Sequence, residues 1–285
     1  MPSVAERLAA ARGTLEAAGL DPADAALDAE VLARHVLGWD RASLLTRGRD
    51  PEPETFEPSF STLISRRAER EPVAQILGYR EFWGLEFEVT RDVLIPRPET
   101  ELIVEEALAF ARTRPCEHVI DVGTGSGCLT VAIARELSTV RVLAIDQSQA
   151  ALGVARRNAA AHGVTGRVTF HLGDVLDGLT VRADLIVSNP PYVPDGDAAD
   201  MQPEVVGYEP HAALFGGPSG FDVVLRLLEQ AADRLATGGM LVIECGFGQA
   251  ASVMQLAERL GWRIVRLRED LQGIPRVLVL SRDVP

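Results

Sequence analysis

Asn189-Pro190-Pro191-Tyr192 closes an apolar run, and upstream of it a glycine-rich stretch reads DVGTGSG from Asp121 to Gly127. The tetrapeptide sets two hydrogen-bond acceptors side by side: the amide oxygen of Asn189 and the carbonyl of Pro190, whose peptide bond runs to another proline. The ring of Tyr192 stands next to them as a wall. Such a site suits an –NH2 group whose two hydrogens must be held while its nitrogen attacks an electrophile. A nitrogen conjugated into a π-system is a poor nucleophile because its lone pair is delocalised. Acceptors on both N–H groups favour pyramidalisation, and their contribution grows towards the transition state. Positioning supplies much of the remainder. No strong general base is required, because the alkylated cation loses its proton readily. With a nucleotide-like cofactor at the glycine stretch, the residues point to methyl transfer onto a planar, weakly basic nitrogen. A plain strand-end turn is the bland alternative, since Asn-Pro and Pro-Pro are ordinary loop formers.

Asp121, Gly123, Thr124, Gly125, Ser126 and Gly127 follow a strand-like run and open a helix-like one, the context that a nucleotide-binding turn needs. Glycine there permits positive φ and close approach of backbone to ligand. A dinucleotide site of the G-x-G-x-x-G type is the competing reading, but Cys128 stands at its third glycine. Asp146 ends the next apolar run and can accept from ribose hydroxyls; capping the following helix is its alternative role. Gly173-Asp174-Val175 ends a third run, where the acid can meet an exocyclic amine and Val175 can pack on a ring.

These segments need a scaffold. A chain of 285 residues predicts one large and one small domain. Residues 1–72 read as helices only: Asp21-Pro22 starts a helix through about Gly38, Asp40 caps a short successor, and a longer helix follows Pro53. Leu8, Leu15, Leu27, Val31, Leu32, Val36, Leu63 and Ile64 are the expected core of that bundle. Residues 73–98 mix aromatics with alternating Leu85, Phe87 and Val89 and read as a β-hairpin linker. From residue 99 to 285, strand, loop and helix alternate, which implies a parallel sheet covered on both faces. In this stretch 218–239 is expected to be one helix stopped by glycine, and the last two strands are expected to pair antiparallel at an edge.

The formal charge of −13 excludes a protein that grips long nucleic acid by phosphate neutralisation, apart from a local patch at Arg66, Arg67 and Arg70. The sequence has no lysine, which reads as compositional bias. Three separated cysteines imply buried reduced thiols, with no metal site. Charges run through the first helix, so it does not read as a signal peptide, and no apolar run is long enough to span a membrane. A cytoplasmic monomer is the expectation.

A glycine loop with three strand-end acids resembles the class I S-adenosylmethionine-dependent methyltransferases. That resemblance implies a Rossmann-like sheet of seven strands in the order 3-2-1-4-5-7-6, strand 7 antiparallel. Gly78 to Gly84 (GYREFWG), Leu94 to Glu101 (LIPRPETE) and Tyr208-Glu209-Pro210 through Ala213 to Gly217 narrow it further. Together with the Asn189 tetrapeptide they resemble the PrmC/HemK family of protein-(glutamine-N5) methyltransferases, across essentially the whole chain. The resemblance implies a class 1 peptide chain release factor as protein substrate, methylated at the glutamine of its GGQ motif, and a helical N-terminal domain that helps engage it. It also implies S-adenosyl-L-methionine as cofactor, with S-adenosyl-L-homocysteine as product. Gly123 to Gly127, Asp146 and Asn189 would contact the cofactor, Asn189 to Tyr192 the substrate glutamine, and Phe82, Arg97, Glu99 and Thr100 would line the pocket. Packing is the alternative role for Phe82 and Trp83, and helix capping for Glu99 and Thr100. Val175 stands where relatives often carry an aromatic ring.

Two readings compete. An N6-adenine or N2-guanine methyltransferase would share the cofactor loop and the Asn189 tetrapeptide, but needs a basic surface or a target-recognition domain. A non-catalytic interaction module would have no use for both half-sites.

Overall fold

The computed structural model describes residues 2–282 and divides them into two compact units. The first comprises the chain up to Gly78 together with Gln202–Tyr208; the second holds Tyr79–Met201 and the chain from Glu209 onward.

The first unit is helical: α1 Val4–Ala17, α2 Pro22–Leu37, α3 Arg41–Arg47, α4 Phe56–Ala68 and α5 Val73–Leu77. Local signals set their ends. Ser3 and Glu6 form a capping box on α1, Asp21 caps α2 ahead of Pro22, and Gly38 ends α2 at a φ of +64°. Val4, Leu15, Leu32, Phe56, Phe60 and Ile64 are buried together. Leu27, expected in this core, is 57% exposed. α2 instead buries a stripe of Ala25, Ala29, Leu32 and Ala33, whose small side chains let the helices approach closely.

Two boundaries differ from expectation. The helical unit runs to Gly78, past residue 72, because Pro72 leads into α5 instead of a strand. The hairpin occupies only Tyr79–Glu88 of the 73–98 stretch. The chain also returns to this unit much later, at Gln202–Tyr208. There Glu204 accepts from Arg67 Nη2 at 2.9 Å and from Arg70 Nη2 at 2.7 Å, while Arg67 Nε reaches Asp28 at 2.6 Å. Gln75 donates to the Tyr208 carbonyl at 3.0 Å. Arg66 pairs with Glu71 at 2.7 Å. The candidate basic patch is therefore engaged with its own carboxylates.

The second unit opens with the hairpin β1 Tyr79–Phe82 and β2 Leu85–Glu88. Its two-residue turn, Trp83 and Gly84, has φ of +55° and +67°, the combination that a tight hairpin of type I′ requires. Then follow α6 Glu101–Thr113, β3 His118–Val122, α7 Cys128–Glu136, β4 Arg141–Asp146, α8 Gln149–Ala161, β5 Val168–Leu172 and β6 Ala183–Ser188. After α9 Pro203–Tyr208, which lies in the first unit, come α10 His211–Leu214, α11 Asp222–Ala231, β7 Leu235–Glu244, α12 Ala250–Arg259, β8 Arg263–Glu269 and β9 Pro275–Ser281.

β3 to β9 form one sheet in the order β5-β4-β3-β6-β7-β9-β8. β9 is antiparallel to both of its neighbours, and the other pairs are parallel. This is the expected 3-2-1-4-5-7-6 arrangement. Each central strand splits its residues between two cores. Val119, Leu185, Val187 and Val242 face α6 and α7, whereas Ile120, Ile186, Leu241 and Ile243 face α11 and α12.

One expected helix is shorter. α11 stops at Ala231, and residues 235–239 belong to β7, where Leu235 pairs with Ala183 and the register shifts before Leu185 meets Met240. Gly238 and Gly239 serve this irregularity: a Cβ on Gly239 would stand 2.9 Å from the Asp184 carbonyl.

Strand order reverses between β3 and β6, the position where open α/β sheets bind ligands beyond their carboxyl ends. Ser188 is in register with Val122 on one side and Ile243 on the other. Gly123, Asn189 and Glu244 therefore emerge side by side.

Glu204→Ala should lower stability to urea by about 2 kcal/mol, since it leaves Arg67 and Arg70 short of a partner. It should also speed proteolytic cleavage between residues 195 and 210; cleavage at the wild-type rate would show that the ion pairs do not hold this segment.

Candidate active site

The glycine turn is held from beneath. Asp121 is fully buried at the end of β3, and its Oδ2 accepts from Thr124 Oγ1 and Thr130 Oγ1, both at 2.7 Å. Gly123 N and Thr124 N donate to the Ile145 carbonyl at 2.9 and 2.8 Å. Gly125 N donates to Asp146 Oδ2 at 2.9 Å. These bonds bend the turn over the end of β4, with Gly123, Gly125 and Gly127 at φ of +73°, +54° and +81°. Gly127 faces α8, where a Cβ would come within 3.1 Å of the Ala155 Cβ. Val122, Gly123 and Gly125 of this segment line the adjoining cleft; Asp121, Thr124, Ser126 and Gly127 shape the turn from behind it.

The cleft is open to solvent, and its enclosed part measures about 120 Å³. Asp146, Asp174, Val175, Asn189, Pro190 and Pro191 all line it. Asp146 does not cap α8. Ser148 does, accepting from Ala151 N at 3.1 Å, while Asp146 Oδ1 takes Ser148 N at 2.8 Å. Burial raises the Asp146 carboxyl above its ordinary value. Asp174 is ion-paired with Arg226 of α11, so one of its oxygens is already engaged. Val175 sits at φ +55°. For a β-branched residue that conformation carries strain of about 1–3 kcal/mol, of the kind that concentrates at ligand sites.

The Asn189 tetrapeptide follows β6. Ser188 Oγ donates to the Val122 carbonyl at 2.7 Å and locks the two strand ends together. Asn189 Nδ2 donates to Thr100 Oγ1 at 3.0 Å, and Thr100 Oγ1 donates to Glu244 Oε2 at 2.7 Å. Thr100 makes no capping bond with its side chain, so the helix-cap role does not apply to it. The turn itself rests on bare backbone. A Cβ on Gly216 would stand 2.5 Å from the Pro191 carbonyl, and one on Gly220 would collide with the Tyr192 carbonyl. Gln249 Nε2 donates to that same carbonyl at 2.8 Å. Burial pushes the Tyr192 phenol above its ordinary value, so it stays neutral; unlike Asn189, Pro190 and Pro191, it does not line the cleft.

The four outlying pocket candidates separate. Thr100 touches Asn189 directly. Arg97 Nη2 meets Glu209 Oε1 at 2.5 Å, and Glu209 Oε2 accepts from Ile95 N at 2.9 Å, so this arginine anchors the IPRPE loop beside the cleft. Glu99 is half-buried and does not line the cleft. Phe82 is a correction: it is 1% exposed and packs edge-on against Phe87 in the core beneath the hairpin. At the hairpin's end, an apolar ring gains more from burial against α6 and α7 than from a wet pocket wall.

Residues 6–78 match the family described as PrmC N-terminal domain, and residues 100–206 match that described as Methyltransferase small domain. A release factor glutamine methyltransferase of Geobacter sulfurreducens is 44% identical, with 94% of this chain and 92% of that protein covered. One from Cereibacter sphaeroides is 42% identical, with 96% of each covered. The chain belongs to the release factor glutamine methyltransferase family. Solved structures agree on the fold. A methyltransferase from Pyrococcus furiosus superposes with a TM-score of 0.53 over 79% of this chain and all of that one, at 19% identity. A ribosomal protein L11 methylase from Lactobacillus delbrueckii gives 0.51 over 67% of this chain and 82% of that one, at 22% identity.

Within this member of the release factor glutamine methyltransferase family, several site residues carried only weak sequence signals. Gly220 and Gln249 support the tetrapeptide from distant loops. Arg226 reaches Asp174 from a helix read only for its glycine stop. Asn158, buried in α8, donates to the carbonyls of Ser126 and Glu88 at 2.8 and 3.0 Å and ties the glycine turn to the hairpin. Pro210 and Ala213 line the cleft from the motif that begins at Tyr208, which sequence alone supplied with no role.

Burial pushes Asp121 up to about 6 from an ordinary value of 3.8. A carboxyl raised in this way contributes no penalty below its unfolded value and loses stability as pH climbs through the folded one. Wild-type stability should therefore fall between about pH 4 and 6, with about 3 kcal/mol as the upper bound from this group. Urea unfolding of Asp121→Asn across that range should show a flatter slope; an unchanged slope would remove Asp121 as its source.

Proposed function

We propose that this protein transfers a methyl group from S-adenosyl-L-methionine to the side-chain amide nitrogen of the glutamine in the GGQ motif of class 1 peptide chain release factors. The observation that carries this reading is the orientation of Asn189. Its Nδ2 is engaged by Thr100, which leaves Oδ1 as an acceptor at a cleft whose other half is bare glycine backbone and strand-end acid.

The residues fit the cofactor. Gly123 and Gly125 present backbone without side chains, Asp146 retains acceptor capacity for ribose hydroxyls, and Val175 offers an apolar surface beside Asp174. Acidic groups around a sulfonium are electrostatically favourable. When bound, the cofactor supplies an electrophilic methyl carbon. The chain does the rest. Asn189 Oδ1 and the Pro190 carbonyl accept the two amide N–H groups, drawing the nitrogen out of conjugation as its bond to carbon forms. The two prolines confine the amide plane and fix its line of approach. The proton released from the methylated nitrogen passes to water or to one of these acceptors.

The alternative of adenine or guanine methylation has no support in the charge distribution. The net charge is −13, and Arg66, Arg67 and Arg70 are committed to carboxylates. The proposed role of the helical unit is docking of the intact release factor. The protein is proposed to work as a monomer in the cytoplasm, where translation factors are found. No helix among the described residues is long and apolar enough to cross a membrane.

A transfer assay with methyl-labelled cofactor should be offered a release factor, its GGQ→GGA variant, and bulk DNA and RNA. Label is expected on the wild-type factor alone; label on nucleic acid would replace the substrate assignment. Asn189→Ala should reduce kcat by about 10²–10³-fold, the range for loss of one preorganised polar group. Leu27 and Leu45 are 57% and 78% exposed on the helical unit. Changing both to Glu should raise KM for the intact factor and not for a short GGQ peptide; equal effects on both would refute docking there.

A further inference from the structure

The amide of Asn189 has two ends of nearly equal shape and opposite hydrogen-bonding character. Only its oxygen can hold a substrate N–H; a half-turn about the last side-chain bond would present hydrogens to hydrogens. Something in the fold must decide between the two orientations. Thr100 Oγ1 stands 3.0 Å from Asn189 Nδ2 and 2.7 Å from Glu244 Oε2, and both Thr100 and Glu244 are buried, at 3% and 2% exposure. A hydroxyl has a single hydrogen, and an ionised carboxylate only accepts. Thr100 must therefore give its hydrogen to Glu244, and its oxygen can then only accept from Asn189. Nδ2 is drawn inward and Oδ1 is left for the cleft.

We propose that Glu244 is a positioning residue which, acting through the Thr100 hydroxyl, sets the orientation of the Asn189 amide so that its oxygen is the substrate acceptor. This rests on the methyl-transfer reading above. It adds a residue that touches neither cofactor nor substrate and lies far in sequence from the tetrapeptide it serves. The sheet explains the placement: Glu244 follows Ile243, the register partner of Ser188, so it emerges beside Asn189. Thr100 arrives from the turn that leads into α6.

The relay has a pH signature. Burial pushes Glu244 up to about 7 from 4.5, with Glu99 raising it further and the Thr100 bond, Arg276 and Arg97 opposing. Tyr192 and the thiols of Cys128 and Cys245 also interact with it, and burial raises all three so that they stay neutral. Once Glu244 is protonated it no longer demands the Thr100 hydrogen, and that hydrogen is free to turn to Asn189 Oδ1. Activity should rise with pH through about 7. Stability from this group runs the other way: its folded value is raised, so its contribution is complete below about 4.5 and is lost as pH climbs through 7. A role confined to holding the fold would make activity follow stability.

The test uses the full-length protein with a release factor as acceptor. Thr100→Val, which keeps shape and removes the hydroxyl, should lower kcat by about 10²-fold while the Kd for S-adenosyl-L-methionine changes less than about twofold. Thr100→Ser should restore turnover to within about threefold of wild type. Glu244→Gln should erase the acid limb of the kcat profile. A second measurement needs no substrate: the side-chain 15N–1H pair of Asn189, identified by its loss in Asn189→Ala. It should shift as Glu244 titrates in wild type and stay constant in Glu244→Gln. A wild-type kcat in Thr100→Val, or damage in Thr100→Ser equal to that in Thr100→Val, would overturn the proposal. So would an acid limb that survives Glu244→Gln, or an Asn189 signal insensitive to pH. A responding amide in a protein that leaves release factors unlabelled would instead refute the substrate assignment and leave the relay standing.

Discussion

A carboxylate withdrawn from water must receive hydrogen-bond donors from the chain itself, and the cleft is organised around two such demands. Asp121 lies beneath the glycine turn and is served by the hydroxyls of Thr124 and Thr130. Glu244 lies beneath the Asn189 tetrapeptide and is served by Thr100. In each case a threonine carries the directional requirement of a buried charge to a segment that faces the cleft. The first fixes where backbone amides point, and the second fixes which atom of a side-chain amide is offered. Remove either acid and the loop above it keeps its sequence but loses the reason for its conformation.

This arrangement depends on strand order. β3 and β6 are neighbours at the reversal point of the sheet, and β7 lies on the far side of β6. Gly123, Asn189 and Glu244 therefore leave adjacent strands at one edge, although the last two are separated by α9, α10 and α11. Hydrophobic burial pays for none of the site's polarity directly; it supplies a rigid floor. β3, β6 and β7 each divide their residues between two cores, so a register slip would carry a row of valines and isoleucines to the wrong face. The register that positions the chemistry is thus held by residues that take no part in it.

The supports of the cleft are stiff in different ways. Gly216 and Gly220 allow backbone to touch backbone under the tetrapeptide, where any side chain would force the prolines apart. Val175 is strained at positive φ, and Arg226 holds the neighbouring Asp174. Asn158 couples the hairpin to the glycine turn from a fully buried position. Phe82 marks the limit of inference by motif: it stands in a segment characteristic of the family, yet its ring belongs to the core because the hairpin must bury an apolar face to stay on the domain.

The sequence by itself determined the alternation of strand and helix, the two-sided sheet with its reversed last pair and the helical N-terminal segment, and it singled out Asn189-Pro190-Pro191-Tyr192. These are local properties: periodicity, capping residues, glycine turns and an unusual tetrapeptide are all written within a few positions. Tertiary structure alone decided that Asp121, Thr124 and Ser126 shape the turn from behind while Gly123 and Gly125 face the cleft. It alone drew Gln202–Tyr208 into the helical unit through Glu204, shortened α11 in favour of a bulged β7, and brought Thr100 and Glu244 to Asn189. The reason is physical. Which polar groups must share their hydrogens depends on which are buried together, and burial is decided by the packing of segments that no spacing rule connects.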